Sequence, residues 1–591
     1  MKKGAHPLFW PTAQRFRKIA LGALVSGALG CSGCTKVAKQ PVAAPAQDGA
    51  TPSEDLGGPT GEFSPESGDF ELVVEDDKAP KKRPQPKPVN ARDDAWTALA
   101  KGNPEGALTF LSQWLASHPG DHLARVAATH AALRVGDIEG AKALLKAGDQ
   151  VRRGPASQPA AVVDRLRLHA RVARLQGDAK AAEGHLQAAL AKIPDHAATR
   201  GELLELWMHT GRRETPEARK LMDGLYDSYE SGAATEVSAL MAVARAGIAR
   251  GTSGAYQDAN MVLGEAEQVP DAAGDTLAFL ARDDLLLLRG AMFADKYAEG
   301  EALETYQLIL QRDPWHPDAL AGVAATQLGA FQLAAASRSA EMALQTNPHH
   351  AEAQAVLARI ELVEGKQALA ATRVKDQVLR QNPHSLEGLA IQAALALRAD
   401  DKSGYATIRA AAVGHARDGG IFFTRLAELL VSLHMYPEAD TVLAKAVALA
   451  PKNPRAQSAY GLNLLRLGEE TKGRAALEAA WKRDRFNERT LNTLELYRQT
   501  IDPKYTDVKA KQLSLRVPTL DHEWLADDLV AAYARARKSL DARYGIDPGV
   551  LRLEAFDTPE TFSLRTLGVP SFGALGVCFG KVITLVGNHR G

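Results

Sequence analysis

The 591-residue sequence predicts an all-α solenoid, a superhelix of stacked helix hairpins, with a small incomplete α+β segment at the C-terminus. Three observations predict it. Small residues recur every 34 positions, at Gly290, Ala324 and Ala358 and again at Ala302, Ala336 and Ala370. Prolines close two units at the same interval, Pro314 and Pro348. The chain is also too long for one compact core, and its 6% aromatic content suits a helical array in which alanine does much of the interface packing.

The unit 283–316 shows the physics. Leu286 and Phe293 supply bulk on a first helix and Gly290 admits a close neighbour. Ala302, Tyr306 and Ile309 mark the inward face of a second helix, which Pro314 ends because proline has no N–H to donate. The next unit uses Leu320, Val323, Ala324, Ala336, Ala343 and Pro348, and the one after it Leu357, Ala358, Gly365, Ala370 and Val374. Beyond Pro383 the register slips by one residue and resumes at Ala393, Ala427 and Gly461, with Ala446, Pro451, Gly468 and Ala480 on the same template. Upstream, Gly102, Ala107 and Pro119 form one partial unit, Gly136 and Ala141 another, and Gly177, Ala182, Ala189 and Pro194 a third. Residues 200–282 read as helical, in units of varying length. The array spans 94–500.

Over that span the chain resembles the tetratricopeptide repeat family, whose period is about 34 residues. One hairpin cannot bury its apolar stripe alone, so hairpins stack. The resemblance implies a scaffold whose concave groove of first-helix side chains binds a protein or an extended peptide through many modest contacts, with no covalent step.

Residues 1–31 read as a targeting segment. Lys2, Lys3, Arg15, Arg17 and Lys18 form a basic leader, and the apolar run 19–29 is too short to span a bilayer as a mature helix. Ala28, Leu29 and Gly30 before Cys31 resemble a bacterial lipoprotein signal, in which the cysteine becomes the lipidated first residue. Cys31 is the expected lipidation site and Cys34 the alternative, which implies a lipid-anchored protein of the bacterial cell envelope, at the outer membrane or facing the periplasm. Residues 32–93 show no structural period, being rich in proline and acidic residues up to Asp77 and basic and proline-rich over 78–88. This reads as a disordered tether, with Lys81, Lys82 and Arg83 as solvated charges rather than a contact to lipid or cell wall. Lys plus Arg and Asp plus Glu both number 71, so net charge gives no reason to expect a nucleic-acid partner. Three cysteines, two of them near the terminus, define no disulfide framework.

Residues 501–591 leave the repeat template. Asp521 is placed to cap a helix whose Leu525, Leu529, Tyr533, Ala536 and Leu540 share one face. Leu551, Leu553 and Ala555 alternate with Arg552 and Glu554 as in a strand, Thr558, Pro559 and Glu560 open a short helix, and 576–586 reads as one buried strand. Residues 562–566 (FSLRT) and 573–583 (GALGVCFGKVI) make this segment similar to the first part of peptidase MA-like domains, zinc metallopeptidases of the gluzincin group. That likeness implies a strand beside a substrate cleft and a zinc helix soon after it.

A zinc hydrolase of that kind needs two histidines one helical turn apart, with a glutamate beside the first to take a proton from the bound water. The nearest match is His522, Glu523, Trp524, Leu525 and Ala526, where alanine stands in place of the second histidine. His522 and Glu523 therefore read as ordinary first-turn residues, and His589 is isolated. His349 and His350 read as an inter-repeat turn, and Cys578 as a small core residue without the basic neighbour a nucleophile needs. Gly573, Gly576 and Gly580 lack the following Lys-Ser or Lys-Thr helix of a phosphate loop and read as tight turns. No catalytic, cofactor-binding or metal-binding residue is assigned, and zinc is expected only with a further His-Glu-x-x-His segment. The rival expectation is an inactive, truncated form of a tetratricopeptide-zinc peptidase. Under either expectation the strand 577–586, lacking the rest of its sheet, would expose apolar surface and be cleaved before the array, unless it packs on the last repeat.

Overall fold

The computed structural model describes residues 82–272, 274–416, 420–545, 547–569 and 574–587. Cys31, Cys34, Lys81, Gly573 and His589 lie outside them. Among the described residues eleven helix hairpins follow one another, from Arg92–Ala100 with Pro104–Ser117 to Pro454–Arg466 with Glu470–Trp481. First helices of successive hairpins lie side by side, and each second helix packs on its own partner and, apart from Lys402–His415, on the next first helix. This is a tetratricopeptide-type α-solenoid, with first helices on the concave face.

The template positions form its core. Ala302, Ala324, Ala336, Ala358, Ala370, Ala393, Ala427 and Ala446 are fully buried. Tyr306 explains Gly290: its ring sits where side chains at Gly290 and Gly322 would go, at 2.6 Å and 2.5 Å from ideal Cβ positions. Leu286 is a correction, since it is only half-buried and its neighbour Leu285 fills the core. The one-residue slip before Pro383 also has a cause. The second helix of the eighth hairpin, Gln367–Arg373, continues as a π turn, Val374–Leu379, which absorbs one extra residue without breaking the stack.

The connections between hairpins are built from short polar motifs. In Asp313-Pro314-Trp315-His316 and Asn347-Pro348-His349-His350, the first side chain accepts the N–H of the third residue, at 3.0 Å and 3.1 Å. The histidine at the fourth position then caps the next helix, Pro317–Gly329 or Ala351–Val363, through Nδ1. Asn382 and Ser385 repeat the device. His349 and His350 are thus turn and cap residues.

The array winds tightly enough for its turns to touch. Gly102, Gly136 and Gly177 follow the first helices of hairpins one to three and have φ of +84°, +80° and +76°. A side chain at any of them would collide with Asp313, Asn347 or Asn382 respectively, in the connections after hairpins six to eight. The seam continues with Glu214 against Lys452 at 3.8 Å. It ends with Ser253, which accepts the Arg485 N–H at 2.9 Å across 232 residues of chain. Buried charges lock it: Arg134 reaches Asp283 at 2.6 Å, Asp313 at 3.3 Å and the Leu99 carbonyl at 2.8 Å. Leu277 and Leu280 add apolar contact with Ala95 and Leu99. Arg83 belongs to this seam and not to a solvated tether. Its backbone N–H donates to Gln345 at 2.7 Å, and its 9%-exposed side chain pairs with Glu105 and donates to the Gly102 carbonyl at 2.9 Å.

The C-terminal segment is a five-stranded sheet in the order β1-β2-β3-β5-β4. The strands are β1 (Tyr505–Ala510), β2 (Leu513–Pro518), β3 (Leu551–Phe556), β4 (Gly576–Phe579) and β5 (Val582–Val586). β1–β2 and β4–β5 are antiparallel hairpins, and β2–β3 and β3–β5 are parallel. The expected single strand over 576–586 is therefore a hairpin, turning at Gly580 (φ +60°). On one face Leu513, Leu515, Val517, Leu553 and Ala555 pack under the helix His522–Tyr544. That helix outruns the sheet, so Ala536 and Leu540 are exposed, contrary to their expected place on the buried face. Asp521 ends a short 3₁₀ turn and its side chain does not cap the helix. The other face of the sheet rests on the end of the array, where Phe556 and Phe562 join Leu465, Leu477, Leu494, Tyr497 and Ile501. The tail is accordingly packed on the last repeats, and the exposed, unsupported strand is not what forms.

Candidate functional site

The concave wall is made of first-helix side chains, and many of them are charged. Arg167, Arg171 and Arg174 project from Pro159–Leu175 at one-turn spacing. Arg167 meets Glu202 at 2.6 Å, and Arg174 and Arg245 grip Glu205 from either side at 2.5 Å and 2.8 Å. Across the turn, Arg171 meets Asp284 at 3.3 Å. Farther along, Glu387 lies between Arg359 at 3.4 Å and Arg425 at 3.3 Å. Arg455 binds Glu428 at 2.6 Å and approaches Asp295 at 3.9 Å.

Four acids on this wall, Asp284, Asp318, Glu352 and Glu387, are spaced by one repeat each. Asp318 is held well below the usual carboxylate range, against the opposing effect of burial, by a hydrogen bond from His350 at 3.0 Å and by the positive charge of Arg171. Because His350 Nδ1 accepts the Ala353 N–H, the proton facing Asp318 sits on Nε2. Burial raises Glu352, with His350 and Arg425 acting the other way. His130, on His122–Val135, is lowered to about 3, first by burial and then by Arg171. Desolvation is the largest single influence on several of these solvent-reachable groups, as expected of groups lining an enclosed face.

The residues weighed for catalysis lie elsewhere. His522 and Glu523 open the helix on the outer face of the sheet, and Ala526 points into the sheet core at 5% exposure. A histidine at that position could not share a metal with His522 without leaving the core. Cys578 is exposed on β4, which corrects its expected place in the core. Partial desolvation pushes its thiol up, away from nucleophilic chemistry. Gly576 and Gly580 lie in the β4–β5 hairpin, and no helix follows them there. Among the described residues, no group of three or more His, Cys, Asp or Glu could hold a metal ion, and no helix is long and apolar enough to cross a membrane.

No family model matches the chain, and no curated protein matches it. Solved structures do. The APC/C hetero-tetramer Cut9-Hcn1 aligns at 14% identity over 66% of this chain and 94% of that one, with a TM-score of 0.26. Yeast Tom70 aligns at 13% identity over 70% and 88%, with a TM-score of 0.31. A tetratricopeptide repeat protein from Parabacteroides merdae aligns at 16% identity over 47% and 97%, with a TM-score of 0.30. At such scores the description of the fold rests on the helices and contacts above.

Proposed function

We propose that this chain is an interaction scaffold that binds a protein or an extended peptide along its concave wall, and that it is held in the bacterial cell envelope by a lipid on Cys31, with Cys34 as the alternative. The observation that carries the binding reading is that the paired charges of the wall stay open to solvent. Arg171 is 36% exposed, Asp318 39%, Arg425 42% and Arg455 51%, although each faces an opposite charge. A polar partner can exchange into such pairs one contact at a time. Both signs alternate along the wall, which favours a peptide over a nucleic acid, whose phosphates would meet an acid beside every arginine.

The test is a peptide library measured against three proteins. Arg425→Glu on the wall should weaken the best binders about tenfold or more, roughly 1.4 kcal/mol, whereas Glu438→Arg on an exposed second-helix position should leave them unchanged. Equal effects would refute the concave site. For the anchor, metabolic labelling with an alkyne fatty acid should be lost in Cys31→Ser. Loss only in Cys34→Ser moves the lipid to Cys34, and labelling that survives both substitutions contradicts it.

A second reading concerns the sheet. Its mixed topology, with a helix on one face and a hairpin at the edge, supports kinship with peptidase MA-like domains. Stoichiometric zinc together with peptide cleavage by the purified protein would support that kinship, and neither being found would count against it.

A further inference from the structure

Where the last hairpins meet the sheet, Arg466, Arg489 and Arg565 line one small cavity together with Thr493, Thr566 and Phe579. The three arginines are not equivalent. Arg565 is ion-paired, with Nε 2.6 Å from Glu554 though outside hydrogen-bond geometry, and its Nη2 donates to the Leu465 carbonyl at 3.4 Å. Arg466 lies over the Tyr436 ring at 5.8 Å, and the Nε of Arg489 is buried without a hydrogen bond. Among the described residues neither of these two guanidinium groups meets a carboxylate. Every wall arginine of the previous section has one.

Two neighbouring, partly buried cations with no counter-charge are a cost that folding alone leaves standing. Burial lowers Arg489 to about 9, with Arg466 pushing the same way, and Arg466 is itself lowered by burial. An anion in the cavity would remove that penalty. The free space of about 20 Å³ is little more than the roughly 10–15 Å³ that one water needs, so only the oxygen end of a ligand enters and its stem stays at the mouth. A planar carboxylate suits the forked donors of arginine.

We propose that this cavity is a carboxylate-binding site, with Arg466 and Arg489 gripping the two oxygens and Phe579 lining the wall beside the carbon stem. The carboxylate could be a free small acid or the side chain of a bound peptide, and the site does not depend on the concave-wall reading.

Thermal melts of the whole chain, with acetate exchanged for chloride at constant ionic strength, test it. Acetate should raise the wild-type midpoint, and Arg489→Met should abolish that rise. The variant by itself should melt at or above wild type, because an unpaired, partly buried charge is gone; this also shows that it folds. N-acetylglutamate amide protecting better than acetate, with N-acetylglutamine amide inert, would assign the site to a peptide side chain. Acetate protecting better would assign it to a free acid. Equal protection of wild type and Arg489→Met overturns the proposal, as does inorganic phosphate outperforming both carboxylates. Arg425→Glu should keep the acetate response, so loss of peptide binding there and loss of acetate binding here remain separate results.

Discussion

The chain builds two kinds of interface. Between consecutive hairpins the contact is small and apolar: Ala336, Ala340, Ala343 and Ala353 interlock with Leu320, Val356 and Leu357, and helix axes come close because nothing bulky intervenes. Between the last hairpin and the sheet an apolar contact, Phe556 and Phe562 against Leu465 and Leu477, is joined by an ionic network. Glu554, fully buried, is gripped by Arg552 at 2.7 Å, Arg565 at 2.6 Å and Arg516 at 3.5 Å, and Arg516 continues to Glu470 at 3.0 Å and Asp507 at 2.8 Å. The difference teaches where specificity is needed. A repeat interface can be reused at every step because its geometry repeats. The junction occurs once, and a network of directed charges admits one docking pose where apolar surfaces would slide.

Breaking the junction should have the largest effect. Glu554→Ala leaves three arginines around an empty place and should cost about 3–5 kcal/mol. Hydrogen exchange should rise in β3 and β5 while the hairpins of the first turn keep their protection. If protection fell uniformly, the junction would not be a separate unit. Overpacking the repeat contact comes next: Ala358→Leu, at a fully buried position, should cost about 1–3 kcal/mol in chemical denaturation, and no loss would mean that the interface has spare room.

The seam offers a pH test. Burial, opposed by Arg134, raises Asp313 from 3.8 to about 6. A carboxyl raised in the folded state binds more protons there than in the unfolded chain, so its contribution is full below about 3.8 and is lost as pH rises through about 6. Asp313→Asn keeps the turn geometry that Asn347 and Asn382 already use and should flatten the stability profile across that window, read from denaturation midpoints. An unchanged slope would place the titration elsewhere. The smallest effect concerns backbone strain. Phe331 holds φ of +60° at a helix end and is 54% exposed. Phe331→Gly should therefore gain about 0.5–1 kcal/mol, and a loss would mean that the ring has a contact of its own.

Much of the array was legible because burial in a repeat is periodic. Gly290, Ala324 and Ala358 announce themselves at every step. The acidic ladder of the wall is written in the sequence too, since Asp284, Asp318, Glu352 and Glu387 keep the repeat spacing, but polar periodicity by itself does not separate a lined groove from a solvated face. Tyr297, Phe331, Asp400 and His434 hid a second ladder, the left-handed helix ends that Gly365 and Gly468 share with them, because non-glycine residues there give no signal. Strands β1 and β2 give a weak signal because Asp507 and Lys509 do face solvent and Arg516 looks solvent-facing until its pairing with Glu554 at 3.5 Å is seen. The same holds for Arg552 and Glu554, which flank the apolar strand residues but point at the array. The seam was beyond reach altogether. A 34-residue period fixes neighbours along the stack, whereas the pitch that brings Gly136 onto Asn347 is a small rotation accumulated over five hairpins.

That pitch is the central claim, because it turns a groove into a wall enclosed by two touching turns. Cysteines at positions 253 and 485, in a chain whose Cys31, Cys34 and Cys578 are serine, test it directly. The account predicts rapid intramolecular disulfide formation under mild oxidation of the native protein, seen as faster migration on a non-reducing gel. A pair that stays reduced unless the protein is first denatured would contradict it.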